Sequence, residues 1–228
     1  MPRVLIVANR LPVTVTPTPT GVEVQKSTGG LATGLLRPHE QSGGLWVGWP
    51  GTPDDELSLE QRAELNHKLA DLRLVSVPLT SEEVSRYYEG FSNGVLWPLF
   101  HYLVDQIPMQ VRDWAPYKEV NQRFADIVAT HYRPGDLIWV HDYQLLLVPE
   151  LVRQRLPEAR IGFFLHIPFP SEEIFRTLPE RDRLLRGLLG ADLIGFHTPT
   201  YLRHFAASLT QILGVTVDID RVQLTDRE

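Results

Sequence analysis

Three apolar runs in the second half of the chain, "DLIWVHD" (136–142), "RIGFFLH" (160–166) and "DLIGFH" (192–197), each stop at a histidine and are separated by segments of helical length. Runs this short and continuous suit strands buried on both faces. Strands joined through helices pair in parallel, by right-handed crossovers. The expected fold is therefore α/β, with a mostly parallel, Rossmann-like sheet and helices on both faces. In such sheets ligands lie outside the carboxyl ends of the strands, where these histidines stand.

The rest of the chain extends the pattern. Val4–Ala8 is a buried strand that delivers Asn9 and Arg10, and "VTVT" and "GVEVQ" flank "PTPT" as an N-terminal hairpin. A helix over Leu31–Leu36 follows "STGG". Then come a strand at "LWVGW", an amphipathic helix over Leu59–Leu69 and a strand at "LRLVSVPL". Thr80 and Glu83 form a T-x-x-E capping box that opens a helix towards Tyr88. Val120, Phe124, Ile127 and Val128 recur at helical spacing until "RPGD". Later helices are expected over Leu145–Leu156, over Glu172–Leu189, and from Pro199 behind the cap Thr198. The last of these has an apolar face of Tyr201, Leu202, Phe205, Leu209, Ile212 and Leu213. "VTVDI" closes the series as a strand. No repeat, low-complexity tract or linker divides residues 1–228.

Composition narrows the partners. A net charge of -6 argues against a general nucleic-acid binder, so an anionic ligand must be held by a local cluster. With no cysteine there is no disulfide framework, thiolate metal site or cysteine nucleophile, which fits a cytoplasmic protein. The apolar start "MPRVLIVANRLPV" is far too short to span a bilayer and reads as a strand. Homo-oligomerisation is left open.

Arg10, His141, Asp142, His166 and His197 are expected to converge on one rim of the sheet. Any one of the histidines is as readily a core residue satisfied by backbone; the set favours a site. In "STGGLATGLL", Gly29 and Gly30 precede a helix and so offer backbone N–H groups and a helix N-terminus to a phosphate. The pattern is neither G-x-G-x-x-G nor a Walker loop, and an ordinary loop is its default reading. In "YYEGFSNGVLWPLFHY", with its Asn-Gly turn, Tyr87, Phe91 and Phe100 are assigned to the core, whereas Tyr88 and Trp97 are candidates for holding a sugar.

Taken in order, "ANRLPV", "STGGLATGL", "GLWVGWPG", "YYEGFSNGVLWPLFHY", "YKEVNQRFA", "IWVHDYQLLLVPELVR", "IGFFLHIPFPSEEIFRTLP" and "LLGADLIGFHTPTYLRHF" resemble the N-terminal half of the trehalose-6-phosphate synthases, retaining glycosyltransferases of the GT-B type. The resemblance covers nearly the whole chain. It implies transfer of glucose from UDP-glucose to glucose 6-phosphate, with no cofactor and no essential metal. It also implies that Arg10 and Tyr88 hold the acceptor phosphate and that Trp97 and Asp142 position its sugar. Gly29 and Gly30 would close over the donor diphosphate, and His166 would face the donor glucose; Asp142 and His166 are the catalytic candidates, and His141 is structural. A full synthase carries a second lobe with an Arg–Lys pair for the diphosphate and carboxylates for the nucleotide sugar. Nothing here resembles that lobe, so residues 1–228 are expected to be the acceptor-side domain, inactive alone.

Three alternatives stand beside this reading. The same scaffold serves other acceptors, such as glycerol phosphate. The chain could be a sugar-phosphate-binding module without activity. In a metal-dependent phosphohydrolase, His141, Asp142 and His166 would be ligands.

Overall fold

β1 (Val4–Arg10) starts the chain as the central strand of a sheet built around it. The computed structural model describes residues 2–27 and 29–218. β2 (Val13–Thr18) and β3 (Gly21–Lys26) follow as an antiparallel hairpin, then α1 (Gly30–Ser42), β4 (Leu45–Trp49), α2 (Leu59–Asp71) and β5 (Leu74–Ser76). A helical rod comes next: α3 (Ser81–Glu83), a π-helical segment (Val84–Leu96) and α4 (Trp97–Phe100). Then come α5 (Trp114–His131), β6 (Leu137–His141), α6 (Val148–Arg155), β7 (Arg160–Phe164), α7 (Glu172–Phe175), α8 (Arg181–Leu188), β8 (Leu193–Gly195) and α9 (Pro199–Ser208).

Among the described residues six strands form one sheet in the order β5-β4-β1-β6-β7-β8, every neighbouring pair parallel. The hairpin apart, the chain runs outward from β1 on one side, then crosses back to build the other. This is the doubly wound Rossmann arrangement, and its switch point is the gap between the carboxyl ends of β1 and β6. The alternation of each strand divides the core. Leu5, Val7, Val47, Ile138, Val140, Ile161 and Phe163 pack on the side of α5, α6 and α8. Ile6, Ala8, Trp46 and Leu74 pack with Leu65 and Leu69 of α2 and Val13, Val15 and Val22 of the hairpin.

Several boundaries differ from the sequence expectations for identifiable reasons. The hairpin turns at Pro19–Thr20, not across "PTPT": Pro17 pairs with Val22 inside β2, tolerated because a two-stranded ribbon leaves an outer edge needing no N–H. α1 runs on through Pro38. The helical material from Glu172 breaks in two before Pro179, whose ring disfavours helical backbone at Leu178. Tyr143–Leu145 form a single 3-10 turn, and α6 begins only at Val148. The capping box of Thr80 and Glu83 is formed, but its helix continues to Phe100, and Asn93–Gly94 lie inside the π segment rather than in a turn. Residues 215–218 of "VTVDI" pair with no strand, and Ile219 lies outside the described residues. Among the described residues no helix is long and apolar enough to cross a membrane.

Two buried side chains of α5 shape the turn after β6. Tyr117 Oη donates to the Tyr143 carbonyl at 2.8 Å and accepts from the Leu146 N–H at 3.1 Å. Asn121 Nδ2 donates to the Gln144 carbonyl at 2.9 Å, and its Oδ1 accepts from the Leu147 N–H at 3.1 Å. Asn121→Ala would leave the buried Leu147 N–H unpaired and the Gln144 carbonyl with only the 3.4 Å bond from Tyr87. It is expected to cost about 2–4 kcal/mol, read as a lowered urea midpoint with an unchanged slope.

Candidate active site at the strand switch point

Arg10 owes its position to an irregularity. Val7 pairs with Val47 and Arg10 with Trp49, so β1 spends one residue more than β4 over that interval, a bulge that re-aims the side chain. Gly48 makes room for it: a Cβ there would stand 2.7 Å from the Ala8 carbonyl oxygen. The Arg10 guanidinium lies over the Trp49 ring, its central carbon 4.7 Å from the centroid, and against Gly51, whose φ of 98° excludes most side chains. Trp49 is pinned by its Nε1–H to the Thr52 carbonyl at 3.1 Å, and Tyr88 packs on it with ring centroids 6.2 Å apart. Among the described residues the guanidinium makes no ion pair and no hydrogen bond. Partly desolvated on Trp49, it is an oriented cation without an anionic partner among the described residues.

Across the switch point stands Asp142. Its backbone, at φ 75° and ψ 170°, occupies a region that is essentially restricted to glycine and costs on the order of 1–3 kcal/mol. The turn braced by Tyr117 and Asn121 holds it there. Oδ1 accepts from the Tyr143 N–H at 3.0 Å and the His166 N–H at 3.2 Å, and Oδ2 makes no hydrogen bond among the described residues. Burial raises the carboxyl to about 6, although those two N–H groups and the nearby His197 and His101 favour the charged form. The stability contributed by the protonated group is full below the unfolded value near 3.8 and is lost as pH rises through about 6. At neutral pH a charged acceptor is thus held in place at the expense of the fold.

The histidines form a line beside it. His141 is fully buried, its Nδ1 3.0 Å from Nε2 of His166, and His166 packs against the exposed His197 with ring centroids 5.8 Å apart. Burial first, then the neighbouring imidazole, lowers His141 to about 3 and His166 to about 4. Both rings are neutral at pH 7. The stability tied to that neutrality is present above about 6.5 and lost as acid drives pH down through the two lowered values.

The helical rod roofs the gap. Tyr87 donates to Oδ1 of Asn9 at the end of β1 at 2.8 Å, and Tyr143, just past β6, donates to Oδ1 of Asn93 at 2.7 Å. The rod therefore bridges both lips, and π-helical irregularities such as its own occur frequently at functional sites. Tyr87, Phe91 and Phe100 are fully buried as expected, while Trp97 is 40% exposed, packing on His101 at 4.0 Å and Tyr143 at 5.6 Å between ring centroids.

Gly29 and Gly30 open α1 without a side-chain cap, and a Cβ on Gly30 would meet nothing within 4 Å. Because α1 links parallel β1 to β4, its N-terminus belongs to the rim side, and the Ser27 N–H bonds the Pro12 carbonyl two residues beyond Arg10 at 2.9 Å. As at any helix start, the N–H groups ahead of Thr33 have no acceptor within the helix and can meet an anion.

The expected convergence thus divides into two lips: Arg10 with Tyr88, and Asp142 with His166, His197 and Trp97. His141 lies beneath the second lip. Among the described residues no three His, Cys, Asp or Glu side chains are grouped to hold a metal. The ligand set of the phosphohydrolase alternative is not formed, since His141 and His166 bond each other directly. Sequence reasoning missed Trp49, Asn93, His101 and Asn121. "GWPG" was a signal for the first; Asn93 and Asn121 are placed by contacts distant in sequence, and His101 by its contact with Trp97 one turn back.

Comparison with known proteins agrees with this fold. The model of glycosyltransferase family 20 matches residues 2–228. The chain is 45% identical over 226 residues to alpha,alpha-trehalose-phosphate synthase [UDP-forming] A of Dictyostelium discoideum, covering 99% of this chain and 30% of that protein. Among solved structures it is similar to an alpha,alpha-trehalose-phosphate synthase (UDP-forming) from Burkholderia xenovorans in complex with glucose-6-phosphate. There the TM-score is 0.75 at 33% identity, over 95% of this chain and 45% of that one. It is also similar to the N-terminal domain of a Candida albicans trehalose-6-phosphate phosphatase. That likeness has a TM-score of 0.79 at 33% identity, over 98% of this chain and 46% of that one. The chain spans between 30% and 48% of the length of the first curated relatives it matches.

Proposed function

The chain belongs to glycosyltransferase family 20, and from that premise we propose that residues 1–228 form the acceptor-side domain of a retaining GT-B glucosyltransferase. Its acceptor is glucose 6-phosphate, its donor UDP-glucose, and its products trehalose 6-phosphate and UDP. The observation that carries this reading is the pairing across the switch point of an unpartnered guanidinium, Arg10, with a carboxylate, Asp142, that keeps one oxygen free. A phosphate at one end of a ligand and hydroxyls at the other satisfy both lips together.

In this reading Arg10 meets the phosphate as a two-pronged, charge-assisted donor, with Tyr88 alongside. Trp97 offers its exposed face to the sugar, and Asp142 Oδ2 accepts from hydroxyls and so fixes the attacking oxygen. The open amides at Gly29 and Gly30 receive donor phosphate oxygens, and His166 faces the donor sugar. The Arg–Lys pair and the carboxylates of the donor site belong to the second lobe that the resemblance implies. Positioning and stabilisation of the departing diphosphate, rather than a protein nucleophile, supply the rate.

Asp142→Asn tests the assignment. The amide keeps the acceptor for the Tyr143 and His166 N–H groups but removes the buried charge. At pH 7.5 the variant is expected to be more stable by about 1–3 kcal/mol, with the gain closing as pH falls from 6 to 4. Its affinity for glucose 6-phosphate is expected to fall at least about tenfold. A variant that binds as well as the parent would return the His141–Asp142 pair to a structural role.

The likeness to a phosphatase's N-terminal domain favours a second reading, a sugar-phosphate-binding module without transfer. The two share the acceptor crevice and part over the donor. Protection of the Gly29 and Gly30 amides from hydrogen exchange by UDP-glucose supports the transferase alone.

A further inference from the structure

We propose that His141, too deeply buried to touch a ligand, is the positioning residue that fixes the ring tautomer of His166, so that His166 presents an Nδ1–H donor to a ligand oxygen beside Asp142. This rests on the reading of the crevice as a sugar-phosphate site.

The argument follows the protons. His141 Nδ1 and His166 Nε2 are 3.0 Å apart, and both imidazoles are neutral at pH 7, so one N–H lies between them. If His166 donated it, His141 would carry its own proton on Nε2. That atom is buried and has no partner, and an orphaned buried N–H is among the rarest and costliest features of a folded chain. If His141 donates from Nδ1, its Nε2 is a bare lone pair, which is cheaper to bury. His166 Nε2 is then the acceptor and its proton resides on Nδ1. His166 Nδ1 makes no hydrogen bond among the described residues, yet it is not a buried atom. It is open to the crevice.

The arrangement pairs opposite functions. The His166 main chain donates to Asp142 Oδ1 at 3.2 Å, which ties the ring's residue to the carboxylate. The second lip therefore offers an acceptor, Asp142 Oδ2, and a donor, His166 Nδ1–H, side by side. Where acceptor and donor sugars meet, a hydroxyl of the acceptor can give to the first and an oxygen of the donor can receive from the second. Were the tautomer reversed, both groups would be acceptors and would compete for the same hydroxyl protons.

The test is a long-range proton–nitrogen correlation spectrum of the histidine rings in 15N-labelled chain at pH 7, assigned with His166→Gln and His197→Gln. The expected result is that His141 and His166 are both protonated on Nδ1. Protonation of His166 on Nε2 overturns the proposal without recourse to any variant of His141. In His141→Asn the amide nitrogen stands near the former Nδ1, so His166 should keep its tautomer. In His141→Leu the donor is gone and His166 should shift to Nε2–H, a change the spectrum reads directly. An unchanged tautomer in His141→Leu would contradict the mechanism. Absence of glucose 6-phosphate binding in every form, parent included, would sink the sugar-phosphate reading. The ligand-free spectra would still decide the tautomer.

Discussion

Arg10→Ala is expected to weaken glucose 6-phosphate binding by roughly ten- to a hundredfold while leaving glucose binding within about twofold, because a charge-assisted contact to phosphate contributes on the order of 1.5–3 kcal/mol. The bulge at the end of β1 and the bare backbone of Gly51 aim this guanidinium, and Trp49 supports it from below. No carboxylate among the described residues neutralises it. The chain as a whole is negative by 6, so no general field replaces the lost charge. Arg10→Lys should recover part of the affinity, since it restores a point charge without the planar fork. Calorimetric titrations of both ligands against the three proteins check this. Equal losses for glucose and glucose 6-phosphate in Arg10→Ala would mean that the residue only packs on Trp49.

A second large effect is expected in turnover. Residues 1–228 by themselves should fold and bind the acceptor, yet release no measurable UDP from UDP-glucose in the presence of glucose 6-phosphate. The two-sided core around β1 supports independent folding. Transfer needs more than the acceptor lip. Stabilisation of a departing diphosphate depends on cations already in place, and loss of one such contact typically costs about a hundredfold or more. On the proposed reading the donor side of this crevice offers only the Gly29–Gly30 amides and His166, with the guanidinium of Arg10 committed to the acceptor phosphate. Closure that shields the glucosyl centre from water is also lacking in a single lobe. An assay of UDP release coupled to disaccharide-phosphate formation decides the matter. Robust turnover would place the donor site within these residues.

What could be read from the sequence, and what could not, divides along a physical line. Continuous apolar runs announced β1, β4, β6 and β7, because strands buried on both faces need nothing but apolar residues. Whatever followed such a run was bound to reach the rim, so Arg10, Asp142 and His166 were identifiable as rim residues. The devices that aim them were not. The bulge before Arg10 depends on Gly48 of a neighbouring strand, the strained backbone of Asp142 on Asn121 and Tyr117 of α5, and the roof on a bond from Tyr87 to Asn9 across 78 positions. Local pattern does not reveal couplings of that range. The same limit explains the misplaced turn at "PTPT" and the Asn93–Gly94 pair, which local turn chemistry favours and helical packing overrides. His141 shows the converse: its buried place was foreseen as structural, whereas its bond to His166 emerges only from the fold.

The central claim is that the β1–β6 crevice takes a phosphorylated hexose by both ends at once. Parallel calorimetric titrations with glucose 6-phosphate, glucose and glycerol 3-phosphate test it most directly. Glycerol 3-phosphate can engage Arg10 and leaves the Asp142 lip unfilled; glucose does the reverse. Glucose 6-phosphate should therefore bind more tightly than either, and Arg10→Ala combined with Asp142→Asn should abolish its heat signal. Equal affinity for glycerol 3-phosphate, or binding that survives the double substitution, would contradict the account.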